Sequence, residues 1–107
     1  MKNLTVVLLL LANLSLFAKE KQVFWIDVRT EEEFAVGHLP EAVLIPYDDI
    51  ANEIGKVTKN KNADIRVYCK VGGRAGIAKK SLEKMGYKNV TNAGGYKDIL
   101  KKQQSIK

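Results

Sequence analysis

Residues 65–74, with the sequence IRVYCKVGGR, decide the fold of this chain and locate its chemistry. Residues 65–69 are mostly apolar, β-branched and aromatic, which is typical of a strand buried in the middle of a sheet. The stretch from Cys69 to Arg74 is a tight loop with two adjacent glycines. A helical pattern follows over residues 75–85, so the sequence predicts a strand, a glycine-rich loop and a helix in succession.

The segments on either side continue this alternation of strands and helices. Further strands are predicted at residues 22–28, 42–45 and 89–92. Further helices are predicted at residues 31–36, at residues 50–57 and at residues 96–102. Strands that alternate with helices predict an α/β fold in which a parallel sheet carries helices on both faces.

Several local signals set the expected ends and faces of these elements. Thr30 and Glu33 have the spacing of a capping box, which predicts a helix start. Asp48 and Asp49 are candidate caps of the next helix. The Gly94-Gly95 pair is expected to turn the chain into the last helix. The helix after the loop is expected to bury the residues Ile77, Ala78, Leu82 and Met85.

The chain has one cysteine, and its position suggests a nucleophile. Ligands of open parallel sheets bind beyond the carboxyl ends of the strands, where Cys69 is expected. Backbone N–H groups of Lys70, Val71, Gly72 and Gly73 and the start of the following helix form a positive concavity there.

Charged side chains add to this concavity. Arg74 contributes a charge and a planar fork of donors, and Lys70 contributes a second charge. Such a site favours the thiolate of Cys69, which is the reactive form. The alternatives are an inert buried cysteine and an ordinary solvated lysine.

The N-terminal residues have the pattern of a secretory signal peptide. A positive start at Lys2 precedes a largely apolar stretch over residues 4–17, and charged residues follow Ala18. We therefore expect a signal peptide at residues 1–18, a single domain at residues 19–107 and export without lasting membrane insertion. An uncleaved anchor or a buried helix is the alternative interpretation.

Composition excludes several classes of protein. One cysteine cannot form a disulfide within the chain, and one histidine with one cysteine argues against a zinc site. The net charge of +6 fits an anionic ligand or a solvated surface. The lysine clusters lack interleaved aromatic residues, so no nucleic-acid partner is expected.

Three segments together resemble the single-domain rhodanese family, and the resemblance spans residues 23–99. The matching segments are residues 34–42 (FAVGHLPEA), 69–74 (CKVGGR) and 93–98 (AGGYKD). The chain departs from the family's usual residues at Glu41, Asn92, Tyr96 and Asp98.

The resemblance implies a three-layer α/β/α fold with a parallel sheet of four or five strands. It also implies a periplasmic thiosulfate sulfurtransferase that needs no metal or organic cofactor. We expect the protein to be a monomer. Cys69 would be the catalytic nucleophile, and residues 70–74 would bind thiosulfate and then hold the persulfide. Cyanide or a thiol would accept the sulfur. Asp27 and Arg29 would form a structural ion pair near the site, and His38 would be architectural.

Two other functions remain open at this point. The first is a persulfide carrier, or sulfur-relay module, with little activity on thiosulfate. The second is a phosphatase of the related fold, whose loop has five residues between its cysteine and its arginine. Only four residues separate Cys69 from Arg74, and this shorter loop counts against phosphate ester chemistry.

Overall fold

The computed structural model describes residues 22–106, which form alternating strands and helices. The strands are β1 (Val23–Asp27), β2 (Val43–Leu44), β3 (Asp64–Cys69) and β4 (Asn89–Gly95). The helices are α1 (Glu31–Val36), α2 (Ile50–Val57), α3 (Gly73–Lys84) and α4 (Tyr96–Ile106). The expected signal peptide lies outside the described residues and stays a prediction.

The sheet has four parallel strands in the order β2-β1-β3-β4. The α/β class and the parallel sheet are therefore confirmed. No fifth strand is present between residues 22 and 106, which agrees with the lower of the two expected strand numbers.

Each face of the sheet carries its own apolar cluster, because successive strand residues point to opposite faces. On β3, Ile65, Val67 and Cys69 belong to the larger cluster, which also contains buried residues of α2 and α3. Tyr68 belongs to the smaller cluster on the other face, together with Ile99 of α4. The chain therefore has the expected three layers, with Cys69 on the side of α3.

The inward face of α3 differs from the expectation at two positions. Ala75, Ala78 and Leu82 are buried, whereas the side chain of Ile77 is 52% exposed and that of Met85 is 38% exposed. The small alanines let α3 lie close to the sheet, and this orientation turns the bulkier Ile77 away from it.

The cap of α2 is only partly as expected. Asp49 is the N-cap residue of α2, but its side chain accepts no capping hydrogen bond.

The end of β4 also differs from the expectation. Gly94 and Gly95 do not form a separate turn, because β4 continues to Gly95 and α4 begins directly at Tyr96. The pairing of β4 with β3 shifts between Val67 and Cys69, so that Gly95 lies opposite Cys69. Helix α4 extends to Ile106, beyond the expected end near residue 102.

The strand order brings the key residues to one edge of the sheet. The strand that follows β1 in the chain, β2, lies at one edge of the sheet, and the strand that follows β3, β4, lies at the opposite edge. The carboxyl ends of β1 and β3 therefore meet where the strand order reverses, which is the usual ligand position in such sheets. Asp27 ends β1 and Cys69 ends β3.

Candidate active site

The sulfur of Cys69 lies in a cradle of backbone N–H groups. Cys69 is 1% exposed, and its Sγ atom accepts hydrogen bonds from the backbone N–H of Gly72 at 2.9 Å and of Ala75 at 3.4 Å. Gly72 has a φ of +105°, a backbone conformation that favours glycine. These two N–H groups, at the start of α3, can stabilise negative charge on sulfur.

The end of β4 fixes the position of this loop. A Cβ atom at Gly95 would collide with the backbone carbonyl of Lys70, so only glycine permits this close approach. The Asn92 side chain donates to the carbonyl of Gly72 at 3.0 Å and accepts from the backbone N–H of Gly94 at 2.9 Å. Asn92 therefore positions the loop that holds the sulfur. The sequence marked it only as a departure from the family's usual residues.

The side chain of Arg74 is paired with a carboxylate. Its Nη1 and Nη2 atoms donate to the two carboxylate oxygens of Glu33 at 2.7 Å and 3.0 Å. From the sequence we expected this fork of donors to bind an anionic ligand, whereas in the structure the fork joins the start of α3 to α1. The hydrogen bonds that Arg74 donates to the Glu33 carboxylate raise the pKa of Arg74 above its ordinary value.

Glu33 takes part in two interactions at once, a helix capping box and an ion pair. It forms the predicted capping box with Thr30, in which the Glu33 N–H donates to Thr30 Oγ1 and the Thr30 N–H donates to Glu33 Oε1. The second is the pair with Arg74, whose hydrogen bonds lower the pKa of Glu33 from 4.5 to about 2.

This low pKa predicts how stability depends on pH in the variant Glu33→Gln. The unfolded chain takes up a proton at Glu33 at a higher pH than the folded chain, so the wild type loses stability as pH falls from about 4.5 to about 2. Glutamine keeps the capping box but has no carboxylate to protonate. We expect the free energy of unfolding of the variant to be lower at neutral pH and to approach that of the wild type near pH 2.

Urea denaturation across this pH range measures the difference between the two proteins. The control Glu53→Gln removes a carboxylate from the exposed ion pair with Lys56, and its pH dependence should stay close to that of the wild type. A constant difference between Glu33→Gln and wild type at every pH would contradict the role of the Arg74 pair.

Asp27 and Arg29 form the expected ion pair, and it is buried. The relative exposure of Asp27 is 0% and that of Arg29 is 6%. Asp27 Oδ1 accepts from the Arg29 side-chain Nε at 2.9 Å and from its backbone N–H at 3.0 Å, and Oδ2 accepts from Nη2 at 2.6 Å. Arg29 also donates to the carbonyl of Gly37 at 2.7 Å and stacks over the ring of Tyr96. This pair holds the turn after β1 against α4.

The remaining loop residues face outward beside the cradle. Val71 is 83% exposed and Lys70 is exposed, whereas Gly72 is half-buried. Nothing lies within 4 Å of the place where a Cβ atom of Gly73 would stand. The structure thus brings all residues from Cys69 to Arg74 to one site, with Asp27 and Arg29 at the neighbouring strand end.

His38 has a local structural role. Its Nδ1 atom lies 2.8 Å from the carbonyl of Phe34, and its ring stacks on the Phe34 ring at a centroid distance of 3.5 Å. Residues 22–106 contain no grouping of three or more His, Cys, Asp and Glu side chains that could hold a metal ion. Within the same residues, no helix has the length and apolar character needed to cross a bilayer.

The arrangement fits nucleophilic chemistry at sulfur. A single thiol lies at the base of the loop, and the backbone N–H groups of Gly72 in the loop and of Ala75 in α3 both donate hydrogen bonds to it. The same N–H groups can stabilise an anion that forms or departs at this atom. No second cysteine exists in the chain to react with a modified Cys69.

Comparison with known proteins gives consistent matches along the chain. The rhodanese-like domain family matches residues 12–102. The thiosulfate sulfurtransferase PspE of Escherichia coli (strain K12) is 41% identical over 92 residues, which cover 86% of this chain and 86% of that protein.

Solved structures match as well. A rhodanese with anions from E. coli has a TM-score of 0.70 at 40% identity, and the match covers 72% of this chain and 91% of that one. The human single-domain sulfurtransferase TSTD1 has a TM-score of 0.66 at 26% identity, with 82% of this chain and 88% of that chain covered.

Proposed function

The chain belongs to the rhodanese-like domain family and is a sulfurtransferase, and from that premise we propose that it moves the outer sulfur of thiosulfate onto Cys69 and then to an acceptor. One observation carries the proposal. Cys69 Sγ accepts hydrogen bonds from the N–H groups of Gly72 and Ala75 at the start of α3. These bonds stabilise a thiolate and, later, a persulfide in the same place.

In the first half-reaction, the Cys69 thiolate attacks the outer sulfur of thiosulfate. A new S–S bond forms to Cys69, and the bond between the two thiosulfate sulfurs breaks. Sulfite leaves with the electron pair of that bond, and a Cys69 persulfide anion remains. The total charge is the same before and after the step, so no oxidant, metal or organic cofactor is required.

In the second half-reaction, an acceptor attacks the outer sulfur of the persulfide. Cyanide yields thiocyanate, and a thiolate yields a new persulfide. In both cases Cys69 leaves as a thiolate, which the N–H groups of Gly72 and Ala75 stabilise. The chain has no second cysteine, so the loaded protein should persist until an external acceptor arrives.

Residues 70–74 are the proposed binding residues for thiosulfate. The backbone N–H groups of Lys70, Val71, Gly72 and Gly73 supply donors, and exposed Lys70 supplies a positive charge. Arg74 supplies charge close to the loop while Glu33 occupies its terminal donors. Its contribution to anion binding is therefore electrostatic.

The loop length separates this function from phosphate ester hydrolysis. Four residues lie between Cys69 and Arg74, one fewer than in the phosphatase loop of the related fold. The Arg74 side chain is also held by Glu33. Both features support a small sulfur anion as the ligand.

The site of action is proposed from the N-terminal sequence. Lys2, the apolar residues 4–17 and Ala18 support a cleaved signal peptide at residues 1–18 and a periplasmic single domain at residues 19–107. We propose that this domain acts as a monomer, with thiosulfate as donor and a thiophilic acceptor as its partners.

The proposal is tested by mixing purified protein with thiosulfate. The intact mass should rise by one sulfur atom at Cys69, one equivalent of sulfite should appear, and cyanide should reverse the mass change. If thiosulfate leaves the mass unchanged but a small organic persulfide loads Cys69, the protein is a persulfide carrier. Hydrolysis of an aryl phosphate without any sulfur loading would make it a phosphatase.

A further inference from the structure

The side chain of Asn92 connects two irregular places in the backbone. In β4, its Oδ1 atom accepts a hydrogen bond from the N–H of Gly94, two residues further along the chain, which is the pattern of an Asx turn. Gly94 has a φ of +89°, and the pairing of β4 with β3 shifts in this part of the strand. The bond to Gly94 holds the Asn92 amide in one orientation, with its Nδ2 atom towards α3.

The Nδ2 atom of Asn92 binds at the first turn of α3. It donates to the carbonyl of Gly72 at 3.0 Å, and the same carbonyl accepts from the backbone N–H of Gly76 at 3.0 Å. Gly76 leaves room for the amide, because a Cβ atom at this position would already lie 3.6 Å from Nδ2. The Gly72 carbonyl therefore has two donors from two different elements, and together they fix its direction.

The direction of this carbonyl sets the direction of the next N–H group. The Gly72 carbonyl and the Gly73 N–H belong to one trans peptide group, in which they point in opposite directions. The carbonyl points along α3 towards Gly76, so the Gly73 N–H points out of the start of the helix. The second donor on the carbonyl also polarises this peptide group, which makes the Gly73 N–H a stronger donor.

The N–H groups of Gly73 and Arg74 are available to a ligand. In the part of the chain that the structure describes, neither of them donates a hydrogen bond. They lie between Gly72 and Ala75, whose N–H groups both bond to Cys69 Sγ. A persulfide adds one sulfur atom about 2 Å beyond Sγ. The outer sulfur would therefore meet the N–H groups that are still available.

We propose that Asn92 is a positioning residue that stabilises the persulfide form of the protein, because it holds the Gly73 N–H in place to bond the outer sulfur. The proposal rests on the proposed function. The Asn92 side chain bonds to the Gly72–Gly73 peptide group rather than to the sulfur. In the unloaded protein, Cys69 Sγ is held by the N–H groups of Gly72 and Ala75, which belong to other peptide groups. Loss of Asn92 should therefore weaken the loaded state more than the unloaded state.

The position of the loading equilibrium measures this difference. The Cys69 thiolate and thiosulfate are converted to the persulfide anion and sulfite, and sulfite reverses the step. The protein is incubated at several fixed ratios of thiosulfate to sulfite, and the loaded fraction is read from the intact mass. The equilibrium constant compares loaded with unloaded protein, so a variant that only slows the reaction leaves it unchanged.

Two substitutions of Asn92 test the proposal. Asn92→Ala removes both hydrogen bonds, and the loading constant should fall about fivefold, which is the usual effect of one ordinary hydrogen bond. Asn92→Asp keeps an acceptor for the N–H of Gly94, but it has no donor for the Gly72 carbonyl and adds a negative charge beside the loop. Its loading constant should fall by at least as much, and this variant carries the test if Asn92→Ala does not fold.

The variant Asn89→Ala is the matched control. Asn89 is also an exposed asparagine of β4, and its Nδ2 atom donates to a backbone carbonyl, that of Asn62, at 2.8 Å. It lies at the start of the strand, about 10 Å before Asn92 and away from the Cys69 loop. Its replacement removes a hydrogen bond of the same kind, and the loading constant should stay at the wild-type value.

Two results would overturn the proposal while leaving the proposed function intact. One is a wild-type loading constant in a folded Asn92→Ala or Asn92→Asp protein. The other is an equal fall in Asn89→Ala, which would mean that any lost hydrogen bond of β4 has the same effect. A wild-type protein that thiosulfate does not load, with no release of sulfite, would overturn the proposed function, and the Asn92 proposal with it.

Discussion

Sulfur transfer should fall to the uncatalysed rate when Cys69 is replaced by serine. The serine hydroxyl occupies nearly the same space and can accept the hydrogen bonds from Gly72 and Ala75, but it cannot form a persulfide. Incubation of Cys69→Ser with thiosulfate should give no gain in mass, no sulfite and no thiocyanate on addition of cyanide.

The loss of activity in Cys69→Ser should not result from unfolding. Cys69 is buried in the larger core cluster, and the exchange of sulfur for oxygen leaves the two N–H groups with an acceptor. Unfolding in urea, followed by the fluorescence of the single tryptophan, Trp25, should therefore remain cooperative. Release of sulfite by a folded Cys69→Ser protein would show that the chemistry occurs at another atom.

The largest loss of stability should follow from Asp27→Ala. This change leaves the guanidinium of Arg29 buried without its anionic partner. Breaking a buried pair in this way costs about 3–5 kcal/mol. Small domains are stable by only about 5–15 kcal/mol, so the variant should unfold at a much lower urea concentration or fail to fold at 37 °C.

Two further variants separate the lost charge pair from a simple loss of packing. Asp27→Leu combined with Arg29→Met removes both charges and should recover part of the stability, because apolar residues often replace a buried pair at little cost. Glu53→Ala, which breaks the exposed pair with Lys56, should change stability very little. Equal losses in Asp27→Ala and in the double variant would contradict the assigned role of the pair.

Most helices and strands of this chain could be predicted from the sequence, because the patterns that indicate them involve residues close together in the chain. The apolar run before Cys69 predicted β3, and the Thr30-Glu33 spacing predicted the start of α1. Each pattern depends on residues only a few positions apart. A strand or a helix sets the relative positions of such residues without help from the rest of the fold. The family's three segments then indicated the α/β/α layers and the position of the Cys69–Arg74 loop.

Predictions failed where a residue's role depends on a distant segment. Ile77 and Ala78 are adjacent, and helical periodicity allowed both to face inward, but the close packing of α3 buries the alanine. Gly95 was expected to be a turn residue. The structure shows that it is needed because Lys70 of a different element passes directly against it.

The sequence by itself determined most of the elements and the parallel sheet, because these follow from periodicity and loop composition, and its unique cysteine made Cys69 the candidate nucleophile. Only the tertiary structure decided the partners of the loop. Arg74 pairs with Glu33, 41 residues away, and Asn92 bonds to Gly72, 20 residues away. Such contacts depend on the register of β4 against β3 and on the placement of α1 beside α3. Global packing of the chain sets both of these, and no local pattern of residues encodes them.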